Sequence, residues 1–301
     1  MKKCFVLWLL VCAQPLSAAE IESETVVGGA GLPLQVISAG DPGKPEILFI
    51  HGFSLSSSSW TQQFEALADD YRLVAFDLRG HGNSAQPWEA SGYADTELWA
   101  DDVAAVIAAT GLKRPTVVAW SYGGHVTLDY IRKYGTAKLA GLLLSGSSAG
   151  MLPFPPPDPE TAKRFKRQTQ LSLSANSGDR FEAAHSFVTG MVVQPLSHDI
   201  IHREVAAAVL LTPRVRIAMQ GRSLDNADLK AKLTLPVLFV VGSQDRSATF
   251  ESITALAPEL PDAAVSFYDE TGHMPFIERE ARFNDEVKRF VASGLASFKS
   301  P

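Results

Sequence analysis

Short apolar runs alternate with helical repeats along most of the chain, and this alternation predicts the fold. Four runs of mostly apolar and β-branched residues have the length of buried strands: Glu46–Ile50, Tyr71–Phe76, Thr116–Trp120 and Leu139–Ser145. Between them, segments such as Asp95–Thr110 repeat apolar residues at three and four positions, as amphipathic helices do. Strands that alternate with helices favour an α/β fold with a mostly parallel central sheet and helices on both faces.

The alternation stops after Ser147 and resumes at Leu235. Residues 151–159 contain five prolines, which neither a helix interior nor a central strand accommodates. From Glu160 to about Asp228 the pattern is helical, with no run typical of a buried strand. The sequence therefore predicts a core formed by residues 20–148 and 229–301, with a helical cap inserted at 149–228. Four further elements are expected beyond the cap, namely strand Leu235–Val241, helix Thr249–Leu256, strand Ala264–Tyr268 and helix Phe276–Leu295.

The first nineteen residues have the pattern of a secretory signal peptide. Positively charged Met1-Lys2-Lys3 precedes an apolar run, Phe5–Ala13, that is too short to span a bilayer. Small residues at Ser17-Ala18-Ala19 predict cleavage after Ala19. The alternative is a buried N-terminal helix. The interpretation as a signal peptide predicts export to a bacterial periplasm or to the medium, without stable membrane insertion after cleavage.

Composition and charge exclude some classes of function. Of the 301 residues, 46% are hydrophobic and 20% are charged, as in soluble globular proteins. Both cysteines, Cys4 and Cys12, lie in the predicted signal peptide, so the mature chain would have neither a disulfide nor a cysteine metal ligand. Loss of Lys2 and Lys3 leaves a net charge of about −8, which argues against nucleic acid as a partner.

Strand Thr116–Trp120 leads directly into a serine with small neighbours and then into a helical pattern. The stretch Ala119–Gly123 fits a nucleophile elbow, usually G-x-S-x-G, with alanine at the first glycine position. A sharp strand-to-helix turn strains its central residue, here Ser121, and needs small neighbours. It also places the hydroxyl at a helix N-terminus, where free N–H groups stabilise an anion. A serine without a catalytic role is the alternative, so the motif alone does not decide.

A base and an acid for this serine are expected on loops after late strands. His273 follows strand Ala264–Tyr268, and Asp245 is the first acid after strand Leu235–Val241. A histidine takes the proton of a serine hydroxyl, and a carboxylate holds the imidazole in the required tautomer. Glu270 is a weaker alternative acid because it precedes His273 by only three residues. The order Ser121, Asp245, His273 is that of nucleophile, acid and base in α/β-hydrolases.

Six other histidines have more ordinary interpretations, and they are His51, His81, His125, His185, His198 and His202. The first two lie in glycine-bounded turns and are expected to be structural, and Asp77 is expected to organise a turn. The third lies on the elbow helix and is expected to be packed or to face polar groups. The last three belong to the predicted cap, where a surface role competes with a substrate contact. Although His198 and His202 are four apart, no third ligand stands out, so we predict no metal and no cofactor.

Five motifs in chain order resemble the α/β-hydrolase-fold serine hydrolases, an esterase-like family. These are His51-Gly52-Phe53, Asp77–Ser84, Ala119–Gly124, Gly242–Asp245 and Gly272–Phe276, and the resemblance covers about residues 25–298. It implies that Phe53 and Tyr122 supply the N–H groups of an oxyanion hole. Their positions agree, since Phe53 follows the third strand and Tyr122 opens the elbow helix. Ala119 and Trp120 depart from the family pattern, and Trp120 is expected to fill the packing between sheet and helix.

The predicted activity is hydrolysis of small to medium apolar carboxylic esters through an acyl-enzyme. Alternatives with the same triad are a cofactor-free perhydrolase or haloperoxidase-like enzyme, a carbon–carbon bond hydrolase and a lyase. A secreted binding protein with an inactive triad is an alternative from another class. A serine at the elbow argues against haloalkane dehalogenase and epoxide hydrolase chemistry, which uses an aspartate nucleophile on a similar fold. The partner is thus a small-molecule ester, and apolar cap residues that could line its pocket are Met151, Leu152, Phe154, Phe165, Phe181, Phe187 and Met191.

Overall fold

The computed structural model describes residues 20–153 and 156–298, so the predicted signal peptide at 1–19 lies outside the described residues. A single eight-stranded sheet has the order β1-β2-β4-β3-β5-β6-β7-β8. Strand β2 is antiparallel to both neighbours, and all other pairs are parallel. The strands are β1 Glu22–Val27, β2 Pro33–Ala39, β3 Glu46–Ile50, β4 Arg72–Phe76, β5 Thr116–Trp120, β6 Gly141–Ser145, β7 Val237–Gly242 and β8 Ala263–Tyr268.

Helices follow most of these strands and cover both faces of the sheet. They are α1 Thr61–Leu67, α2 Ser91–Ala94, α3 Thr96–Ala109, α4 Tyr122–Tyr134, α5 Pro159–Ser172, α6 Ser177–Thr189, α7 His198–Leu210, α8 Pro213–Met219, α9 Phe250–Leu256, α10 Pro275–Glu278 and α11 Glu280–Ser293. Helices α5 to α8 all lie between β6 and β7, and residues 146–236 are called the helical insertion below. The finer division into core and cap at 149–228 stays a prediction.

The central strands are buried on both faces, which explains their unbroken apolar runs. Every residue of β5, β6 and β7 is buried. Alternate residues of β5 point to opposite faces, because side chains of a strand repeat with a period of two. Val117 therefore joins the core formed with α3 and α4, while Val118 joins the core formed with α1 and α11. The sheet thus has a hydrophobic layer on each side, as predicted.

The last predicted helix is interrupted in the structure. The sequence predicts one helix over Phe276–Leu295, whereas α10 and α11 are separated at Arg279, whose φ of −133° is not helical. The Arg279 guanidinium donates to Thr271 Oγ1 and to the carbonyl of Glu270. These contacts with the preceding loop accompany the break, and the prediction of a continuous helix was wrong.

Among the residues that the structure describes, no helix has both the length and the apolar character needed to cross a bilayer.

Candidate active site

Ser121 occupies the single position between β5 and α4. Its backbone has φ 51° and ψ −115°, a sparsely populated conformation that costs about 1–3 kcal/mol. Its N–H donates to the carbonyl of Ser145 at 3.0 Å, which ties the turn to β6. A Cβ atom at Gly123 would lie 2.4 Å from the carbonyl oxygen of Ile50. The elbow therefore requires glycine there, while Ala119 fits within the buried strand.

The structure brings Asp245 and His273 together at the same edge of the sheet as Ser121. Parallel strands end on one edge, and the three residues follow β5, β7 and β8. His273 Nδ1 lies 2.7 Å from Asp245 Oδ2, and all three side chains line one cavity. Within the described residues no hydrogen bond joins Ser121 Oγ to His273. Such contacts are often long without substrate and tighten in the complex.

The loop that carries His273 is fixed from two directions. The N–H of His273 donates to the carbonyl of Met191 at 2.7 Å, and its own carbonyl accepts from Trp120 Nε1 at 2.8 Å. Met191 belongs to the helical insertion and Trp120 to the end of β5. Trp120 was expected only to fill packing, but its indole also positions the histidine loop. This long-range contact has no signal in the local sequence.

Asp245 is held as a carboxylate. Its Oδ1 accepts from the N–H and hydroxyl of Ser247, each at 2.8 Å, and from the N–H of Ala248 at 3.2 Å. Burial raises the pKa of Asp245, but attraction to His273 and hydrogen bonds from His273 and Ser247 outweigh it, so the pKa lies below its usual value. The alternative acid, Glu270, is exposed and lies 3.7 Å from Arg279.

Ser247 is a residue of the site that the sequence analysis missed. Its hydroxyl lies 2.9 Å from His273 Nδ1 as well as bonding to Asp245. A sequence signal for this contact exists. The side chain of an aspartate often accepts from the backbone N–H two residues later in an Asx-turn, and Ser247 is two residues after Asp245. Ser247 therefore fixes the carboxylate that orients the imidazole.

Gly146 lies directly against the histidine–aspartate pair. It has a φ of +56°, and a Cβ there would be 2.8 Å from His273 Nδ1 and 2.9 Å from Asp245 Oδ2. We expect Gly146→Ala to lower kcat about 100-fold, since a misplacement of about 1 Å costs that much. The measurement is kcat on a chromogenic ester beside the midpoint of thermal unfolding.

Gly135→Ala is the matched control for this variant. Gly135 also has a positive φ, +73°, but a Cβ there meets nothing within 4 Å. Both substitutions place an alanine at a positive φ and so share the cost of backbone strain. Only Gly146→Ala also places a Cβ atom against His273 and Asp245. Equal losses of kcat in the two variants would contradict the conclusion that a Cβ atom at Gly146 displaces His273 and Asp245.

Phe53 and Tyr122 lie beside Ser121 as the resemblance implies. Residues Gly52 to Leu55 form a turn closed by a 3.4 Å hydrogen bond, with Ser54 at a φ of +72°. A Cβ at Gly52 would lie 3.1 Å from the Cβ of Ser121, so this turn is pressed against the elbow. Within residues 20–153 and 156–298, neither the Phe53 nor the Tyr122 N–H has a hydrogen-bond acceptor. Both groups are thus available to a ligand at Ser121.

The buried histidines of the early turns have structural contacts. His51 Nε2 accepts from the N–H of Leu78 at 2.9 Å, and His81 Nδ1 lies 3.0 Å from the carbonyl of Arg79. Burial lowers the pKa of both imidazoles, which keeps them neutral. Asp77 accepts from Ser57 and Asn83 and so organises the turn, as expected.

Two cavities adjoin at Ser121. The larger, of about 350 Å³, is bounded by Phe53, Trp120 and His273 and by residues of the helical insertion. The smaller, of about 140 Å³, lies over Tyr122 and is lined by His125, whose pKa burial lowers to about 4. A substrate bound at Ser121 therefore has two cavities of unequal volume available for its substituents.

Only some of the proposed pocket residues line the larger cavity. Phe165, Phe187 and Met191 do so. Met151 is instead fully buried in the core, and 56% of the surface of Phe181 is exposed to solvent. Leu152 packs against the core, and Phe154 lies outside the described residues. In the described part of the chain, no cluster of three or more His, Cys, Asp or Glu residues is suited to a metal ion.

The sheet order, the strained serine after β5 and the histidine–aspartate pair after β8 and β7 define a class of enzyme. The chain belongs to the alpha/beta hydrolase family, whose model matches residues 47–286, and it is an enzyme of the hydrolase class. This confirms the family that the five motifs indicate.

Several known proteins are similar over most of their length. The AB hydrolase superfamily protein YisY of Bacillus subtilis is 26% identical over 83% of this chain and 92% of its own. The non-heme chloroperoxidase CPO-A1 of Kitasatospora aureofaciens is 29% identical over 77% and 85%. Among solved structures, the esterase RhEst1 from Rhodococcus sp. ECU1013 is 28% identical over 90% of this chain and 98% of its own, with a TM-score of 0.78.

Proposed function

We propose that the protein is a serine hydrolase that cleaves carboxylic esters of small to medium apolar substrates through an acyl-enzyme. The observation that carries this proposal is that one cavity contains Ser121 together with the His273–Asp245 pair. Similarity to an esterase over nearly the whole chain supports the same reaction.

In the first half of the reaction, Ser121 Oγ attacks the ester carbonyl carbon. His273 Nδ1–H donates a hydrogen bond to the Asp245 carboxylate, and this tautomer leaves Nε2 free to accept the hydroxyl proton of Ser121. The carbonyl oxygen becomes an oxyanion and accepts from the N–H groups of Phe53 and Tyr122. The carbon–oxygen bond then breaks, and His273 passes its proton to the leaving alcohol.

In the second half, water replaces the alcohol. His273 Nε2 removes a proton from water, whose oxygen attacks the acyl carbon bound to Ser121. A second oxyanion forms in the same hole and collapses. The acid leaves as the Ser121 hydroxyl regains its proton from His273, and the enzyme is restored.

Two measurements test this proposal. A serine-directed phosphonate should add one equivalent of label to Ser121, as located by mass spectrometry. A panel of chromogenic esters of graded acyl length should show a rate optimum at short to medium chains, because the larger cavity holds only about 350 Å³. Absence of both labelling and hydrolysis would contradict the proposal.

Phe187 is expected to limit the length of the acyl chain. Its ring lines the larger cavity from α6. We expect Phe187→Ala to shift the optimum by about two to four methylenes, each worth about 0.8 kcal/mol of burial. Phe181→Ala is the matched control, because this phenylalanine lies on the same helix but is exposed to solvent. An equal shift of the optimal acyl length in both variants would rule out Phe187 as the residue that limits the chain.

A second candidate is perhydrolysis, in which hydrogen peroxide replaces water and the acyl-enzyme yields a peracid. The similarity to a non-heme chloroperoxidase over most of both chains favours it. Formation of peracid from acetate buffer and peroxide, lost with the Ser121→Ala variant, would support this activity beside ester hydrolysis. Carbon–carbon bond hydrolysis and a lyase reaction use the same triad and remain alternatives.

A further inference from the structure

Two arginines of the helical insertion contact the two residues that carry the proposed oxyanion N–H groups. Arg216 lies on α8 and Arg222 follows the end of that helix by three residues. Neither side chain has a part in the reaction steps above. Their contacts nevertheless reach both sides of the oxyanion hole.

Arg216 holds the turn that carries Phe53. Its Nη2 donates to Ser54 Oγ at 2.6 Å and to the carbonyl of Ala208 at 2.8 Å, and its Nε donates to the carbonyl of Leu211. Its Cζ lies 5.5 Å from the centre of the Phe53 ring. The guanidinium is therefore fixed between the end of α7 and the turn.

The charge of Arg216 is unusual in its surroundings. Among the described residues, no carboxylate forms an ion pair with Arg216. Its partners are a hydroxyl group, two backbone carbonyls and an aromatic ring, all of them uncharged. Burial lowers the pKa of this guanidinium to about 10, which still leaves it protonated at neutral pH. A positive charge without a paired carboxylate thus lies beside the turn whose Phe53 N–H would donate to the oxyanion of the substrate.

The turn itself needs external support. Ser54 is a non-glycine residue in the left-handed region, with φ +72°, and the turn's own hydrogen bond is long at 3.4 Å. The bond from Arg216 to the Ser54 hydroxyl stabilises this conformation. It thereby fixes the direction of the neighbouring Phe53 N–H.

Arg222 holds the other donor. Its Nη1 donates to the Tyr122 hydroxyl at 2.9 Å, and the guanidinium pairs with buried Asp129 of α4. It lies 4.5 Å from the Trp99 ring centre and 5.1 Å from that of Tyr122. Tyr122 is thus anchored through its side chain at the position where its N–H opens α4.

We propose that Arg216 and Arg222 form a clamp that positions the two N–H donors of the oxyanion hole, so that docking of the helical insertion completes the site. This inference rests on the proposed function, because it concerns the oxyanion of that reaction. Both are positioning residues, since each acts through Phe53 or Tyr122. Arg216 lies on α8 and Arg222 on the segment just after it, so a shift of this part of the helical insertion would disturb both donors.

The primary test is Arg216→Gln, with Arg216→Lys as the conservative variant. We expect Arg216→Gln to lower kcat by about 10- to 100-fold, below the loss for deletion of a donor, with KM changed less than about threefold. Inhibition by a trifluoromethyl ketone, which forms an oxyanion on serine, should weaken in the same proportion. Arg216→Lys should recover part of both.

Milder variants remove the links and leave the arginines in place. Ser54→Ala deletes the acceptor of Arg216, and Tyr122→Phe deletes the acceptor of Arg222 without exposing Asp129. We expect each to lower kcat by about threefold to tenfold and the double variant by more, in line with the cost of single hydrogen bonds. These variants decide the matter if Arg216→Gln does not fold.

Arg214→Gln is the matched control on the same helix. Arg214 joins the insertion to the core through the carbonyls of Pro87 and Trp88, away from the oxyanion residues. It should lower the midpoint of thermal unfolding much as Arg216→Gln does but leave kcat unchanged. Equal losses of kcat in the two variants, or unchanged kcat in Ser54→Ala and Tyr122→Phe, would overturn the clamp. A wild-type protein that cleaves no ester overturns the proposed function as well.

Discussion

Replacement of Ser121 by alanine is expected to lower kcat/KM for ester hydrolysis by at least about 10⁴-fold. Removal of the nucleophile in a serine triad costs about 10⁶ in kcat, and the residual rate comes from the oxyanion hole and binding. The strained backbone of Ser121, at φ 51°, is retained by alanine, so the fold should persist. The measurement is kcat/KM on a chromogenic ester, together with phosphonate labelling.

Ser293→Ala controls for the loss of a hydroxyl. Ser293 ends α11, where its hydroxyl donates to the carbonyl of Arg289, and it lines neither cavity. It should keep the activity and labelling of the wild type. Ester hydrolysis retained by Ser121→Ala would remove the basis of the proposed mechanism.

Replacement of Asp245 by asparagine is expected to lower kcat by about 10³- to 10⁴-fold with little effect on KM. The amide no longer stabilises the imidazolium and favours the wrong tautomer of His273, which costs about 10⁴ in a serine protease. Ser247 lies 2.9 Å from His273 Nδ1 and retains part of the orientation, which sets the lower end of the range. The measurement is kcat at the pH optimum of the wild type.

Glu270→Gln tests the alternative acid, which lies on the same loop as His273. Glu270 is exposed and lies near Arg279, so its neutralisation should leave kcat within about twofold, as for most surface changes. A large loss in Glu270→Gln with activity kept in Asp245→Asn would transfer the acid's role to Glu270.

The sequence predicts the sheet well where its pattern has one physical interpretation. Strand β5 begins and ends at the predicted residues, and helix α4 follows Ser121 as predicted, because a β-branched apolar run meets a serine turn with glycines after it. The break between α10 and α11 was missed because the periodicity continues across it. That break accompanies contacts of Arg279 with an earlier loop, which local patterns do not contain.

The reacting groups were predictable and their surroundings were not. Ser121, Asp245 and His273 follow parallel strands, and the topology alone brings such positions to one edge of the sheet. Phe181 and Phe187 lie on one helix six residues apart, so their directions differ by about 120° and both cannot face one wall. Which of the two faces the cavity depends on how α6 packs. The clamp arginines likewise act through contacts with residues about 100 or more positions away.

The unequal cavities at Ser121 have a stereochemical consequence. A carbon atom next to the ester group that bears one bulky and one small substituent can place them in about 350 Å³ and 140 Å³ in only one arrangement. Its mirror image would have to force the bulky group into the small space. The protein should therefore discriminate between enantiomers of a racemic ester, and the substituent sizes determine which hand reacts.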